Sequence, residues 1–486
     1  MAAFSPTAAS LWGLAERHAA LDPDRLAIAG PGVGYTWSGL LARAGAIGAA
    51  IERQCLTPGD RVCLWLPSVP VWVAALLGLR RLGLTAVSIG DRARAAELRA
   101  LISRFNVRLM LTDGNVAAPT GVRVLDVASV PEAPPPTPRQ HDAALIHLTS
   151  GSSGLPKGVL RSEADLMEEA RNVAAALSLT PDDAVLCATP VFHSFASGLL
   201  TACLNAGAPC LLMDRLAPAT LLDLARRHRA TVIAGVPYVF QTLTAVSSAD
   251  TLPSLRLAVS GGAHLMPETA SRFQQRFGAP LVQEYGLSEA GIVTLNLHGP
   301  PGSVGAPIPN VELRIVDPDD PSRELPRGAV GEVIAHRVFP PAGYLDRPAE
   351  SAETFTRYGV RSGDLGCLDA AGRLTLTGRI KAMINVAGAK VAPREVEEAL
   401  LIHPDVAEAV AFALPDALLG EAVAAAAVPH AGAGVSEQTL RDHCRALLSA
   451  YKVPAMIRVM DELPRTASGK QDLPRIRGEF AQRRYP

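Results

Sequence analysis

The sequence predicts an α/β protein with more than one domain, and three observations predict it. The chain has 486 residues, too many for one ordinary core. Up to about Gly302, short apolar runs alternate with segments of helical period, which suggests βαβ units and a mainly parallel sheet. Beyond Gly302 the texture shifts to strand-like runs punctuated by Asp, Pro and Gly. Beyond Arg379 a compact segment mixes strands and helices.

Leu11, Leu14, His18 and Leu21 share one face of a helical repeat, so a surface helix opens the chain. That stretch lacks a basic start and an apolar run, which predicts no secretion signal. "DRVCLWLP" and "LTAVSIG" read as strands, with "VPVWVAALLGLRRLG" as the helix between them. The proline-rich stretch 130–140, "VPEAPPPTPRQ", reads as a connector separating this N-terminal α/β region from the rest of the chain. "DAALIHLTS" is an apolar strand ending in the loop "LTSGSSGLPKGVLRS". Ser162 and Asp165 have the spacing of a capping box, so the loop is expected to join a strand to a helix. "TLLDLARRHR" then "ATVIAGVP", and "ETASRFQQRFG" then "PLVQEYG", continue the alternation. "PNVELRIVDPDDPSRELPRGAVGEVIAHRV" is a small β region, and "DAAGRLTLTGR" holds another strand. "PREVEEALL" and "SEQTLRDHCRALLSA" are helices of the last segment.

Bulk numbers remove some functions. A net charge of −1 gives no long-range pull toward nucleic acid or an anionic membrane. Seven cysteines stand singly, none in a CxxC pair, and read as buried free thiols in a reducing, cytoplasmic compartment. Residues 184–213 contain no Asp, Glu, Lys or Arg and are long enough to span a bilayer. Pro190, His193, Ser194, Asn205, Gly207 and Pro209 interrupt them, so a buried helix with flanking core strands is expected. The chain has five lysines against 41 arginines: Lys157, Lys381, Lys390, Lys452 and Lys470. A chain that defaults to arginine keeps lysine where a compact ammonium is needed, or by chance under codon bias.

The glycine-rich loop has phosphate-binding chemistry without the commonest spacing. In a Walker loop the lysine is followed by Ser or Thr; here Gly158 follows Lys157. Glycines still let backbone N–H groups turn toward an anion, and hydroxyls and a lysine add donors and charge.

Further stretches identify whose loop this is. "TSGSSGLPKG", "FHSFASG", "SGGAHLMPE", "QEYGLSEAG", "GSVGAPIPN", "RSGDLG", "GRIKAMINVAGAKVAPREVE" and "PRTASGK" occur in that order. Together they resemble the adenylate-forming superfamily of acyl-CoA synthetases, peptide-synthetase adenylation domains and luciferases, over nearly the whole chain.

The resemblance implies a large N-terminal domain, 1–379, of parallel-rich α/β subdomains plus a small β region. A small mobile α+β C-terminal domain, 380–486, would swing about Lys381. It implies ATP, Mg2+ and coenzyme A as cofactors. A carboxylate would attack the ATP α-phosphorus, giving acyl-AMP and pyrophosphate, and a thiol would then displace AMP. Thr149, Ser150, Gly151, Ser152, Ser153, Gly154 and Lys157 would grip the β- and γ-phosphates. Tyr285 would stack on adenine, with Gly262, Ala263, Glu284 and Gly286 around it, and Ser288 would touch the α-phosphate. Glu289 would bind Mg2+, a hard cation that prefers carboxylate oxygen. Asp364 would accept both ribose hydroxyls, with Arg379 beside it. Lys470 would bridge carboxylate and α-phosphate in the transition state, and His193 would gate acid from nucleotide. Gly388 and Lys390 would line the thiol tunnel.

The chain departs from the family pattern in places. Ser152, Ser153 and Ser362 replace commoner threonines, Ala382 stands where an acid is frequent, and "HRVFPP" replaces a usual Gly-Pro turn. No expected catalytic group is lost. "FHSFASG" offers no carboxylate to an α-ammonium, so an α-amino acid is not the expected substrate. Phe195, Gly198, Leu199, Val236, Tyr238 and Ile292 would line an apolar pocket suited to an aryl or alkyl acid. The acceptor stays open between coenzyme A and the phosphopantetheine of an acyl or peptidyl carrier protein. Thioester formation from a supplied acyl-adenylate, or a non-enzymatic nucleotide-binding regulator, are the remaining alternatives.

Overall fold

The computed structural model describes residues 10–91, 93–114, 121–149, 156–246, 251–416, 418–466 and 471–481. The chain divides into two compact units: residues 1–313 with 335–360, and residues 314–334 with 361–486.

Among the described residues the first unit holds a seven-stranded and a nine-stranded sheet. In the seven-stranded sheet, Arg61–Leu64, Thr85–Ser88 and Ala143–Thr149 are parallel neighbours, with Cys63 opposite Val87 and Val87 opposite Ile146. Their interiors are fully buried, as strands covered on both faces must be, so they read as unbroken apolar runs. The helix Pro70–Arg81 between the first two starts on Pro70, whose fixed φ and missing N–H suit a first helical turn.

The proline-rich stretch does not separate domains. The strand after it, Ala143–Thr149, joins the same sheet as the strands before it. Pro135 and Pro136 pack on Gly45 and Gly48 of the helix Trp37–Glu52, where a Cβ would approach the proline rings at 3.1 Å. Small residues on the helix and rigid rings on the connector thus make a packed seam.

The glycine-rich loop also differs from expectation. It joins a strand to a strand: Ala143–Thr149 pairs antiparallel with Lys157–Ser162, with Thr149 opposite Lys157. The helix Glu163–Ala176 starts only after that second strand. Its cap is as expected, since Ser162 Oγ accepts the Asp165 N–H at 3.1 Å. The Asp165 carboxylate turns instead to Arg161 and Arg337.

The uncharged stretch 184–213 is a strand Val185–Cys187, a buried helix Ser194–Ala206 and a strand Cys210–Leu212, as its interruptions predict. Among the described residues no helix is long and apolar enough to cross a membrane. The cysteines are free, but Cys55 is exposed and Cys367 half-buried, so the expectation of uniformly buried thiols fails at those two.

In the second unit, the strand Gly420–Pro429 runs antiparallel to Val406–Asp416 and parallel to Met456–Val459. Its side chains alternate between two cores. Val423, Ala425 and Ala427 face one with Val396, Leu400 and Leu440; Ala424, Ala426 and Val428 face the other with Ile476 and Phe480.

Candidate active site

In the first unit the sequence-predicted adenine and phosphate residues sit on two neighbouring strand ends. Leu257–Ser260 and Leu281–Leu287 are parallel, and their carboxyl ends carry "GGAHL" and "EYGLSE". The crevice beyond such strand ends is the usual ligand position in an open α/β sheet. Gln283 ties the two segments together: its Oε1 accepts the Leu265 N–H at 3.1 Å and its Nε2 donates to the Ala263 carbonyl at 3.2 Å. Glu284 lays its carboxylate against Gly261, where any Cβ would collide with it. Gly262 and Ala263 come directly after. Tyr285 is buried, opposite Thr294 in the hairpin 281–295. Gly286 lies so close to the Gly291 carbonyl that a Cβ would stand 2.6 Å from it. Ser288 Oγ lies 3.2 Å from Ser194 Oγ, which links the hairpin to the start of the helix Ser194–Ala206. His193 is the residue before that helix, its ring 4.5 Å from Phe192.

Glu289 and Lys157, far apart in sequence, meet through one aromatic ring. Tyr344 Oη donates to Glu289 Oε1 at 2.8 Å, and the Lys157 ammonium lies 4.6 Å from the centre of the Tyr344 ring. Burial first, and then the Glu289 charge, push the Tyr344 hydroxyl up, so it stays a donor. Lys157 forms an ion pair with Glu350. Thr149 is the last residue of its strand; Ser150, Gly151, Ser152, Ser153 and Gly154 lie outside the described residues.

The acyl-pocket residues are only partly gathered. Phe195, Gly198 and Leu199 share the helix Ser194–Ala206, and a Cβ on Gly198 would lie 3.6 Å from Ile292. Val236 is buried in the core against Val239, and Tyr238 is 38% exposed. Sequence reasoning missed the group behind Gly198: the Glu169 carboxylate, 2.7 Å from the position a Cβ would take. Glu169 Oε1 also accepts the Ile292 N–H at 2.9 Å.

Glu169 belongs to a buried ionic cluster. Arg161 donates to Asp165 Oδ1 at 2.8 Å and to Glu169 Oε2 at 2.7 Å; Arg337 donates to Asp165 Oδ1 and to the Ala290 carbonyl, each at 2.9 Å, and pairs with Glu168. These side chains are almost entirely buried. Burial pushes the Glu169 carboxyl up, but Arg161 and Arg337 outweigh it and hold it below the usual range. Burial, then the Arg161 and His193 charges, hold the nearby His147 imidazole well below its ordinary value, so it is neutral. The cluster fastens the strand after the phosphate loop to the hairpin bearing Ser288 and Glu289. The spacing of Arg161, Asp165 and Glu169 at every fourth residue was the available sequence signal.

In the second unit, Asp364 is buried and accepts from Arg379 Nε at 2.6 Å, the two standing opposite each other in paired strands. Ser362 Oγ accepts the Asp364 N–H at 3.0 Å, so the serine keeps a hydroxyl role at this turn. Lys381 lies in the turn Ile380–Ala382. Gly388, with φ +91°, and Ala387, with φ +49°, form a two-residue turn between Ile384–Val386 and Ala389–Val391. Lys390 is exposed on the second of these strands. Lys470 lies outside the described residues. No cluster of three or more His, Cys, Asp or Glu side chains able to hold a metal by itself occurs among the described residues.

Comparison with known proteins agrees with this arrangement. Residues 15–345 match the family model of the AMP-binding enzyme, and residues 395–470 that of the AMP-binding enzyme C-terminal domain. The chain is 32% identical to a sulfoacetate–CoA ligase of Cupriavidus necator over 92% of its own length and 93% of the relative's. It is 32% identical to an oxalate–CoA ligase of Arabidopsis thaliana, over 95% and 96%. Among solved structures, ATP-bound MatB from Rhodopseudomonas palustris superposes with a TM-score of 0.88 at 27% identity, over 97% of this chain and 99% of that one. With both family models in their order, and relatives matched nearly end to end, the chain belongs to the AMP-binding enzymes, the adenylate-forming superfamily.

Proposed function

We propose that this enzyme is an ATP-dependent carboxylic acid ligase. It makes acyl-AMP and pyrophosphate, then the acyl thioester of coenzyme A. The observation that supports this most directly is the joining of Lys157, Tyr344 and Glu289 beside the Gln283-tied adenine segments. Lys157 and the loop before it take the β- and γ-phosphates. Glu289 holds Mg2+: it offers hard carboxylate oxygen, aimed by Tyr344, and phosphate oxygens and water complete the shell. The metal neutralises charge that builds on the leaving pyrophosphate. Asp364 takes the ribose hydroxyls, with Arg379 beside it. Lys470 supplies the charge that draws carboxylate and α-phosphate together, and His193 separates the acid from the nucleotide. The segment 380–486 turns about Lys381, and the turn at Gly388, with Lys390, receives the thiol.

The buried cluster bears on the acid. Its two arginines face three carboxylates, so it carries one net negative charge behind Gly198 and Ile292. A second anionic group at that wall would meet a like charge in a poorly polarisable interior. This favours an aryl or alkyl acid with a neutral tail over the doubly acidic substrates named for the two relatives.

The test is carboxylate-dependent exchange of labelled pyrophosphate into ATP, over a panel of aryl, alkyl and doubly acidic acids. Exchange with neutral-tailed acids is expected. Exchange only with doubly acidic ones would overturn the substrate reading, and silence with every acid would overturn adenylation. Coenzyme A added to the active mixture should then release thioester; release only with a loaded carrier protein would replace the acceptor.

A further inference from the structure

We propose that Glu350 is a built-in competitor of the nucleotide phosphates for Lys157, weakening the grip on ATP and hastening release of pyrophosphate. The proposal rests on the reading that Lys157 binds those phosphates. Lys157 is the first residue of its strand after the phosphate loop, and its ammonium is paired with Glu350. The same carboxylate also pairs with Arg347. Glu350 is held in position. Its short helix Pro348–Thr354 is tied to the strand Gly343–Tyr344 through Ser351, whose Oγ accepts the Tyr344 N–H at 2.9 Å and donates to the Arg347 carbonyl at 2.7 Å. That strand in turn pairs with the Lys157 strand, Tyr344 opposite Val159. Carboxylate and ammonium are therefore carried by two segments of one sheet.

A lysine ammonium has three donors and one charge, and it cannot satisfy a carboxylate and a polyphosphate equally. When ATP arrives, the ammonium must leave Glu350 or share itself, and the remaining carboxylate repels the phosphates. When pyrophosphate leaves, Glu350 recaptures the ammonium. The two cations hold this carboxyl down at about 2, so it competes in its charged form throughout the neutral range. The Lys157 side chain is 16% exposed and that of Glu350 32%, so the pair is only partly screened by solvent.

The experiment is calorimetric titration of Mg-ATP into the wild type, Glu350→Gln, Lys157→Ala and the double variant, without acid or thiol. Glu350→Gln should bind ATP about threefold to tenfold more tightly, and pyrophosphate likewise, with the gap narrowing as salt is added. In the Lys157→Ala background the same change should have no effect, because the competition has lost its object. Unchanged or weaker binding by Glu350→Gln would overturn the proposal, as would tightening that persists without Lys157. A wild type that binds ATP while the variant fails to tighten leaves the ligase reading standing and removes only this one. A wild type that binds no ATP overturns both.

Discussion

Tyr344 Oη donates to Glu289 Oε1 at 2.8 Å, so the carboxylate assigned to Mg2+ has its rotamer fixed by a phenol from a different strand. Tyr344→Phe keeps the ring under Lys157 and removes only that bond. The Mg2+ concentration for half-maximal pyrophosphate exchange should rise roughly tenfold, the usual scale for losing a partner that orients a metal ligand. A magnesium titration of the exchange rate checks it; an unchanged midpoint would take Glu289 out of the metal's shell.

The two half-reactions should separate at Lys470. Lys470→Ala should abolish acyl-AMP formation and leave thioester formation from synthetic acyl-AMP largely intact. The two are read by pyrophosphate exchange and by acyl-CoA formation from the synthetic adenylate. Equal loss of both would end the division of labour proposed for the segment 380–486.

Glu169 joins Arg161 to the Ile292 N–H inside the first unit. Glu169→Gln leaves a buried arginine short of charge, and breaking such a pair costs about 3 kcal/mol. Urea unfolding of the full chain should show a lower midpoint for the first unit. KM for the acid should shift more than KM for ATP, since the carboxylate stands behind Gly198.

Glu397, on the helix Pro393–Leu401, is pushed up by burial to about 6, although it accepts the Ala411 N–H. Folded, the group binds its proton more tightly than unfolded. Its contribution to stability is therefore fully present below the ordinary carboxylate range and is lost as pH rises to about 6. Glu397→Gln should flatten that decline, gaining up to about 2 kcal/mol above it. Urea midpoints at about pH 4.5 and about pH 7.5 for both proteins check the sign.

Much of the fold was legible because local signals agreed with burial. Pro70 opens a helix whose apolar period is unbroken, and the uncharged stretch 184–213 was readable from its own interruptions. "KGVLRS" was harder: the capping spacing of Ser162 and Asp165 pointed to a helix, and the strand before it announced itself only through pairing with Ala143–Thr149. Pairing partners are distant in sequence, and no local pattern carries them. At the site, motif order located the adenine and phosphate residues, whereas Tyr344, Gln283, Glu350 and Glu169 act through contacts that only the folded chain creates. Gly198 looked like part of an apolar wall because its own lack of a side chain hides the carboxylate it makes room for.

The strand Gly420–Pro429 bears on how this gene can drift. An alanine-rich run in an arginine-rich chain invites the view that its codons simply track base composition. Yet Ala424, Ala425, Ala426 and Ala427 are wholly buried, successive methyls pointing into opposite cores. At each, valine would add two carbons to a filled space, at about 1–3 kcal/mol. Glycine would give up packing and backbone order together. The run is therefore under size selection from both sides, and mutational pressure toward alanine meets no resistance there because alanine is already the residue that fits.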